Sequence, residues 1–183
     1  MRSDARYKLY FAIQPPPEVA DQALGLLQSL RPAERFTAKS MPPARLHVSL
    51  NWVGGFGRPP TGIVDKAREV GAAVKVRPFD ISFNRIGTWR SGDPPPLVLW
   101  GDEGVIGVEA LLYKTLHRAM VAPGMAPRRE TPLEPHLTLL RDHAVMPEAF
   151  IEPITWKVRE FVLLQSHYGE GRLDVLARFP LSA

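Results

Sequence analysis

Leu46-His47-Val48-Ser49-Leu50 has a counterpart in Pro135-His136-Leu137-Thr138-Leu139. In both segments a histidine and a hydroxyl residue alternate with apolar residues. This period of two is typical of a half-buried β-strand. Side chains at i and i+2 of a strand lie on the same face, so each histidine is predicted to share a face with the hydroxyl residue that follows it. We expect the apolar faces to be buried under helices.

The polar faces of these two strands predict a reactive site. If the strands lie side by side, His47, Ser49, His136 and Thr138 converge on one cleft. Neutral imidazole accepts a proton and imidazolium donates one near neutral pH, so two histidines can act as base and acid in one reaction. The hydroxyls can donate hydrogen bonds to anionic oxygens. Such a set suits phosphoester chemistry without a metal.

Composition places the chain among globular proteins. It has 183 residues, 45% of them hydrophobic, and a net charge of +4, which weakly favours a polyanionic partner. Cysteine is absent, which excludes disulfides, thiolate metal sites and a cysteine nucleophile. The chain shows no secretory signal and no apolar run of membrane-spanning length, so we expect a cytoplasmic protein without a membrane partner.

Hydrophobic periodicity predicts a mixed order of strands and helices. The predicted strands are 7–14, 46–53, 78–86, 97–101, 136–141, 158–165 and 172–179. The predicted helices are 18–30, 61–74 and 105–121. Gly54-Gly55-Phe56-Gly57 is predicted to break the first histidine strand. Irregular alternation, with hairpins at both ends, favours an α+β fold with antiparallel sheets over a doubly wound parallel sheet.

The spacing of the two signatures indicates an internal duplication. The histidines are 89 positions apart, about half of the chain, and a strand–helix region precedes each of them. We therefore predict a single bilobal domain over residues 1–183, in which each lobe contributes one histidine strand. Two pseudo-symmetric antiparallel sheets would line a central cleft, with helices on the outside.

Several segments together resemble the 2H phosphoesterase superfamily, and within it the RNA 2′,3′-cyclic phosphodiesterases, also called the 2′-5′ RNA ligase family. The resemblance covers nearly the whole chain. It rests on the opening strand from Lys8, the two histidine signatures, the Pro96-Leu97-Val98-Leu99-Trp100 strand and a closing hairpin from Trp156 to Phe179.

The resemblance implies metal-independent opening of a 2′,3′-cyclic phosphate at an RNA end. We also expect no cofactor and a monomer. His47 matches the family's general acid, which protonates the departing 3′ oxygen, and His136 its general base, which activates water. Ser49 and Thr138 match hydroxyls that hold phosphate oxygens. The product would be a 2′-phosphate.

Three more residues are candidates for substrate contacts. Arg141 matches a phosphate-binding arginine of the family. At i+5 from His136 it would face away in a continuous strand, so a bend or the strand end must turn it back. Tyr10 and Trp89 are candidates for stacking on a nucleobase, with core packing or loop anchoring as the alternative.

Other site types find no support in the sequence. There is no His-Glu-x-x-His or comparable spacing for a metal, no Gly-x-Ser-x-Gly elbow and no Lys-x-Asp-Gly adenylation motif. Two alternatives remain open. One is another 2H substrate, such as a 2′-5′ linked oligonucleotide or ADP-ribose cyclic phosphate, and the other is a non-catalytic RNA-end binding protein.

Overall fold

The computed structural model of the chain describes residues 5–101, 107–126 and 132–182. Its strands are β1 (Tyr7–Ile13), β2 (Val48–Phe56), β3 (Phe79–Thr88), β4 (Pro96–Trp100), β5 (His136–Arg141), β6 (Ala149–Val158), β7 (Glu160–His167) and β8 (Arg172–Pro180). Its helical segments are α1 (Pro17–Glu34), a 3₁₀ turn (Pro43–Arg45), α2 (Thr61–Ala73) and α3 (Lys114–Val121), which continues a π-helical segment (Gly107–Tyr113). The predicted start of the third helix, Val105, lies outside the described residues.

The strands form one antiparallel sheet of eight, in the order β6-β3-β4-β5-β2-β1-β7-β8. The predicted α+β class with antiparallel strands is therefore confirmed. Each half of the sheet holds four strands, and the halves join where β2 meets β5, at the registered pair Val48 and Leu137. The pair of predicted sheets thus corresponds to the two halves of one sheet. That the chain forms one domain of two equivalent lobes stays a prediction.

The main core lies on the helix-covered face of the sheet. Leu9, Phe11 and Ile13 of β1 point into it and are almost fully buried, against the inner side of α1. On the opposite face a smaller apolar cluster of Ala12, Val162 and Leu164 packs with Tyr10 and Leu173. Alternate residues of β1 therefore face opposite sides, and Tyr10 lies on the side away from the main core. None of the helices in the described ranges is both long and apolar enough to cross a membrane.

The first histidine strand runs further than the sequence predicts. Gly54 and Gly55 do not break β2 but pair with Leu9 and Lys8 of β1. Both glycines lie where a side chain would collide, since a Cβ at Gly54 would come 2.6 Å from the Phe56 ring and one at Gly55 would come 2.9 Å from the Ala5 methyl group. Glycine is therefore required here for close approach within the strand, not for a turn.

The sequence also missed β6. Pro153 lies in its middle, and a proline cannot donate a hydrogen bond to a sheet ladder. The position is tolerated because β6 is the outermost strand, paired only with β3. The first helix is also longer than predicted, since α1 ends at Glu34, one turn beyond Leu30. The Arg31 guanidinium supports this last turn by donating to the carbonyl oxygen of Ala38 at 2.9 Å.

Candidate active site

The two histidine signatures meet at the centre of the sheet. Val48 and Leu137 pair directly and are fully buried on the core side. In an antiparallel pair, the residues on either side of such a pair also lie opposite each other, about 5 Å apart at Cβ. Ser49 is thus next to His136, and His47 is next to Thr138. All four side chains are half-buried on the face opposite the core, as the alternation predicts.

Both imidazoles are held by the same kind of hydrogen bond. Nδ1 of His47 lies 2.7 Å from the carbonyl oxygen of Arg45, and Nδ1 of His136 lies 2.8 Å from that of Glu134. A carbonyl oxygen can only accept, so Nδ1 carries the hydrogen in each ring. Nε2 is then the nitrogen left to take or give a proton. The bond also fixes each ring plane from a residue two positions upstream.

The histidines differ in their electrostatic surroundings. Burial lowers the pKa of His47, the hydrogen bond to Arg45 opposes this, and the charges of His136 and Arg45 lower the pKa further. The two rings lie on the same face of adjacent strands, so a charge on His136 disfavours a charge on His47. His47 therefore loses its proton more readily than an imidazole in water.

An aromatic ring contacts each histidine. Tyr10 lies 5.3 Å from His47 between ring centroids, and Trp89 lies 4.4 Å from His136. Trp89 also packs edge-on against Trp100 at 5.8 Å. Burial raises the pKa of Tyr10 to about 12, with the charge of Arg45 acting in the opposite direction, so the phenol stays protonated at neutral pH. Both sequence-predicted aromatics thus lie beside the histidines, and their stacking on a base stays a prediction.

A β-bulge turns Arg141 toward the histidine face. Leu97 pairs with Leu140 but Val98 pairs with Thr138, so Leu139 is an extra residue in β5. A bulge shifts the alternation of side chains by one position. Leu139 and Leu140 are accordingly both buried, and Arg141 is exposed on the side of Thr138. The bulge supplies the bend that the sequence requires, and Arg141 Nη1 donates to the carbonyl oxygen of Pro94 at 3.1 Å.

The same bulge occurs in β2 and presents Trp52, a residue that the sequence did not single out as a site residue. Ala12 pairs with Ser49 but Tyr10 pairs with Trp52, so β2 also carries one extra residue. Leu50 and Asn51 are both buried, while Trp52 is 54% exposed. Its ring is nearly parallel to that of Tyr10, at 6.4 Å and 10°. Trp52 therefore holds in the first half of the sheet the position that Arg141 holds in the second.

A metal has no evident place among the described residues of this arrangement. In those ranges, no group of three or more histidine, aspartate and glutamate side chains could hold a metal ion. The cleft instead offers two imidazoles, two hydroxyls and a guanidinium. Such groups can exchange protons with a bound ester and hydrogen-bond its anionic oxygens.

Solved structures of similar fold show what this architecture resembles. Apo LigT from E. coli superposes with a TM-score of 0.75 at 22% identity, over 96% of this chain and 98% of that protein. The chain has the LigT fold. A phosphoesterase structure gives 0.74 at 22% identity over 96% and 99% of the two chains, and TT0787 of Thermus thermophilus gives 0.71 at 23% over 95% and 97%. The predicted resemblance to the 2H phosphoesterases is confirmed at the level of the fold. No family model matches the chain, and no curated protein matches it.

Proposed function

We propose that the chain hydrolyses 2′,3′-cyclic phosphates at RNA ends to 2′-phosphates, by paired histidine acid–base catalysis without a metal. The observation that carries this proposal is the pairing of Val48 with Leu137. It sets two equivalent histidine–hydroxyl pairs side by side, each histidine with its Nδ1 held by a backbone carbonyl. One phosphate placed between them would reach a proton donor and a proton acceptor together.

The proposed reaction is an in-line displacement at phosphorus. Neutral His136 takes a proton from water through Nε2 while the water oxygen forms a bond to phosphorus. The bond from phosphorus to O3′ breaks, and protonated His47 gives its proton to O3′. Ser49, Thr138 and Arg141 donate hydrogen bonds to the non-bridging oxygens, where negative charge gathers in the transition state. Solvent then restores both imidazoles to their starting protonation.

The lowered pKa of His47 fits an acid that is charged only with substrate in place. In the free protein, burial and two neighbouring positive charges favour its neutral form. A bound phosphate anion acts in the opposite direction, since an opposite charge nearby favours the imidazolium. His47 would therefore be protonated mainly when substrate is bound, which is when the leaving oxygen needs a proton.

The rings around the cleft support a nucleotide substrate. Tyr10 and Trp52 form a parallel pair beside His47, and the exposed ring of Trp52 offers a free face on which a base can stack. Trp89 is committed to His136 and Trp100, so it serves as a second wall of the cleft. The E. coli LigT that shares this fold has been solved with 3′-AMP and with phosphate, which also favours a nucleotide phosphate ligand.

The test is product analysis with a cyclic nucleotide and with a short RNA that ends in a 2′,3′-cyclic phosphate, both in excess chelator. We expect a 2′-phosphate, identified by ³¹P NMR. His47→Ala and His136→Ala should each reduce the rate by about 100- to 10,000-fold. His143→Ala is the matched control, because the His143 side chain is 76% exposed and outside both signatures.

Each other outcome has a distinct meaning. Turnover that needs an added metal would overturn the mechanism, and a 3′-phosphate product would contradict the proposed cleavage of the bond from phosphorus to O3′. Tight binding of the RNA end without turnover would favour the binding-protein alternative. Turnover of a 2′-5′ linked oligonucleotide or of ADP-ribose cyclic phosphate, but not of the RNA end, would favour another 2H substrate.

A further inference from the structure

Arg45 is a cation held beside His47 with no counter-ion among the described residues. It ends the 3₁₀ turn that leads into β2, and its carbonyl oxygen accepts the hydrogen of His47 Nδ1. Its Nε is buried and has no hydrogen-bond partner, and no carboxylate of the described ranges forms an ion pair with its guanidinium. The preceding residue is tied down, since Gln14 Nε2 donates to the carbonyl oxygen of Ala44 at 3.1 Å. The backbone that presents Arg45 is therefore fixed.

The side chain of Arg45 lies along the histidine face. Arg45 is two residues from His47, and its charge lowers the pKa of both Tyr10 and His47. Its Nη1 lies 3.8 Å from the point that a Cβ on Gly171 would occupy, in the turn between β7 and β8. Apart from Gly171 itself and its two chain neighbours, no other atom of the described residues comes within 4 Å of that point, so this turn is loosely packed around Gly171. The Arg45 side chain thus extends from the backbone beside His47 toward the turn between β7 and β8.

A half-buried guanidinium that has no acceptor in the described part of the chain would be stabilised by binding an anionic ligand. A buried donor that lacks a partner is costly, and a planar guanidinium matches the oxygens of a phosphate. In the proposed mechanism the reacting phosphate already has the two hydroxyls and Arg141 as donors. An RNA end has a second anion on the same nucleotide, which is the phosphate on the 5′ oxygen of the terminal ribose. Arg45 lies beside His47 and has no part in the proposed reaction at the cyclic phosphate.

We propose that Arg45 binds the 5′-phosphate of the nucleotide that carries the cyclic phosphate, so that the enzyme prefers substrates with this second phosphate. The proposal rests on the proposed function and adds a specificity-determining subsite to it. The same oxygens are present whether this phosphate ends the molecule or links it to a preceding nucleotide. The ligand is therefore a phosphate esterified at O5′.

The experiment compares three substrates that share one base. They are a nucleoside 2′,3′-cyclic phosphate, the same compound with a 5′-phosphate, and a dinucleotide that ends in the cyclic phosphate. The wild type should show kcat/KM about 10- to 100-fold higher for the second and third substrates than for the first. In Arg45→Gln this ratio should fall to about one, and in Arg45→Lys it should be intermediate. Arg77→Gln, an exposed arginine in the loop before β3, is the matched control and should keep the ratio.

The kcat/KM ratio between substrates with and without a 5′-phosphate tests the role of Arg45 separately from the proposed function. No turnover of any substrate by the wild type contradicts the proposed function itself. Turnover of all three substrates with equal kcat/KM contradicts only the role of Arg45. A preference for the dinucleotide alone that survives in Arg45→Gln assigns the gain to the extra base and likewise overturns the role of Arg45. If Arg45→Gln and Arg77→Gln changed the kcat/KM ratio equally, the preference for a 5′-phosphate would come from the net charge of the protein. That result would also overturn the role of Arg45.

Discussion

Replacing Arg141 should test its proposed hydrogen bonds to the substrate phosphate. Arg141 Nη1 donates to the Pro94 carbonyl oxygen at 3.1 Å, which fixes the guanidinium and leaves its other N–H groups for a ligand. A hydrogen bond from a charged donor contributes about 1.5–3 kcal/mol, so the loss of two such bonds to a phosphate removes at least about 3 kcal/mol. We expect Arg141→Ala to lower kcat/KM for a cyclic nucleotide by at least about 100-fold.

Two further variants define the origin of that loss. Arg141→Lys keeps the charge but not the planar fork, and should lower kcat/KM by about tenfold. In Gly92→Ala, the new Cβ would lie 2.9 Å from Arg141 Nη1, at a backbone φ of +77°, so it should displace the intact guanidinium and also reduce kcat/KM. Steady-state kinetics at several substrate concentrations, with thermal unfolding as a check on folding, measures these effects. Activity of Arg141→Ala within about twofold of the wild type would refute the phosphate role.

Three other substitutions or conditions give sharp expectations. Because the reaction needs protonated His47 and neutral His136 together, kcat/KM should be bell-shaped in pH, falling at low pH, where His136 is protonated, and at high pH, where His47 is neutral. The lowered pKa of His47 should place one limb below pH 6.5, and a profile without two limbs would contradict paired acid–base catalysis. Asp142→Ala should lower the free energy of unfolding by about 2 kcal/mol at neutral pH, since backbone N–H groups, that of Ala144 foremost, hold the pKa of Asp142 at about 2 against 3.8. Urea titrations should show this loss shrink as pH falls from about 4 toward 2. Trp52→Ala should lower kcat/KM for nucleotides by about 10- to 100-fold but not for a ribose cyclic phosphate without a base, and Phe150→Ala, an exposed aromatic on β6, should change neither.

The central part of the site could be predicted because local chemistry and tertiary structure agree there. The alternation around Val48 and Leu137 is imposed by burial on one face, and a slip of one residue would bury the histidines instead. The bounds of β5, from His136 to Arg141, match the prediction for the same reason. Where burial fixes the register on one face, a short sequence is sufficient to place the polar residues of the other.

Prediction failed where position in the sheet, not local preference, decides the structure. The proline in β6 is harmless only at an edge, and no local feature of the sequence marks this strand as outermost. Gly54 and Gly55 are turn residues by local preference, yet they are required by the closeness of Phe56 and Ala5. The Asp142 carboxylate accepts hydrogen bonds from the backbone of Thr37 and Ala38, which are more than a hundred positions away. No local feature of the sequence predicts this contact either.

The two bulges explain why Trp52 was missed and why its place beside the cleft is meaningful. In a regular strand Trp52 would lie on the face opposite Ser49, as Arg141 would lie opposite Thr138. One extra residue in each strand turns both side chains to the other face. The order of buried and exposed residues is the same in β2 and β5, so both halves of the sheet contain this bulge. Since equivalent positions carry an indole in one half and a guanidinium in the other, the cleft is asymmetric in chemistry although its frame is symmetric. A nucleotide is asymmetric in the same way, with an aromatic base at one end and an anionic phosphate at the other, so the proposed substrate would have one favoured orientation between His47 and His136.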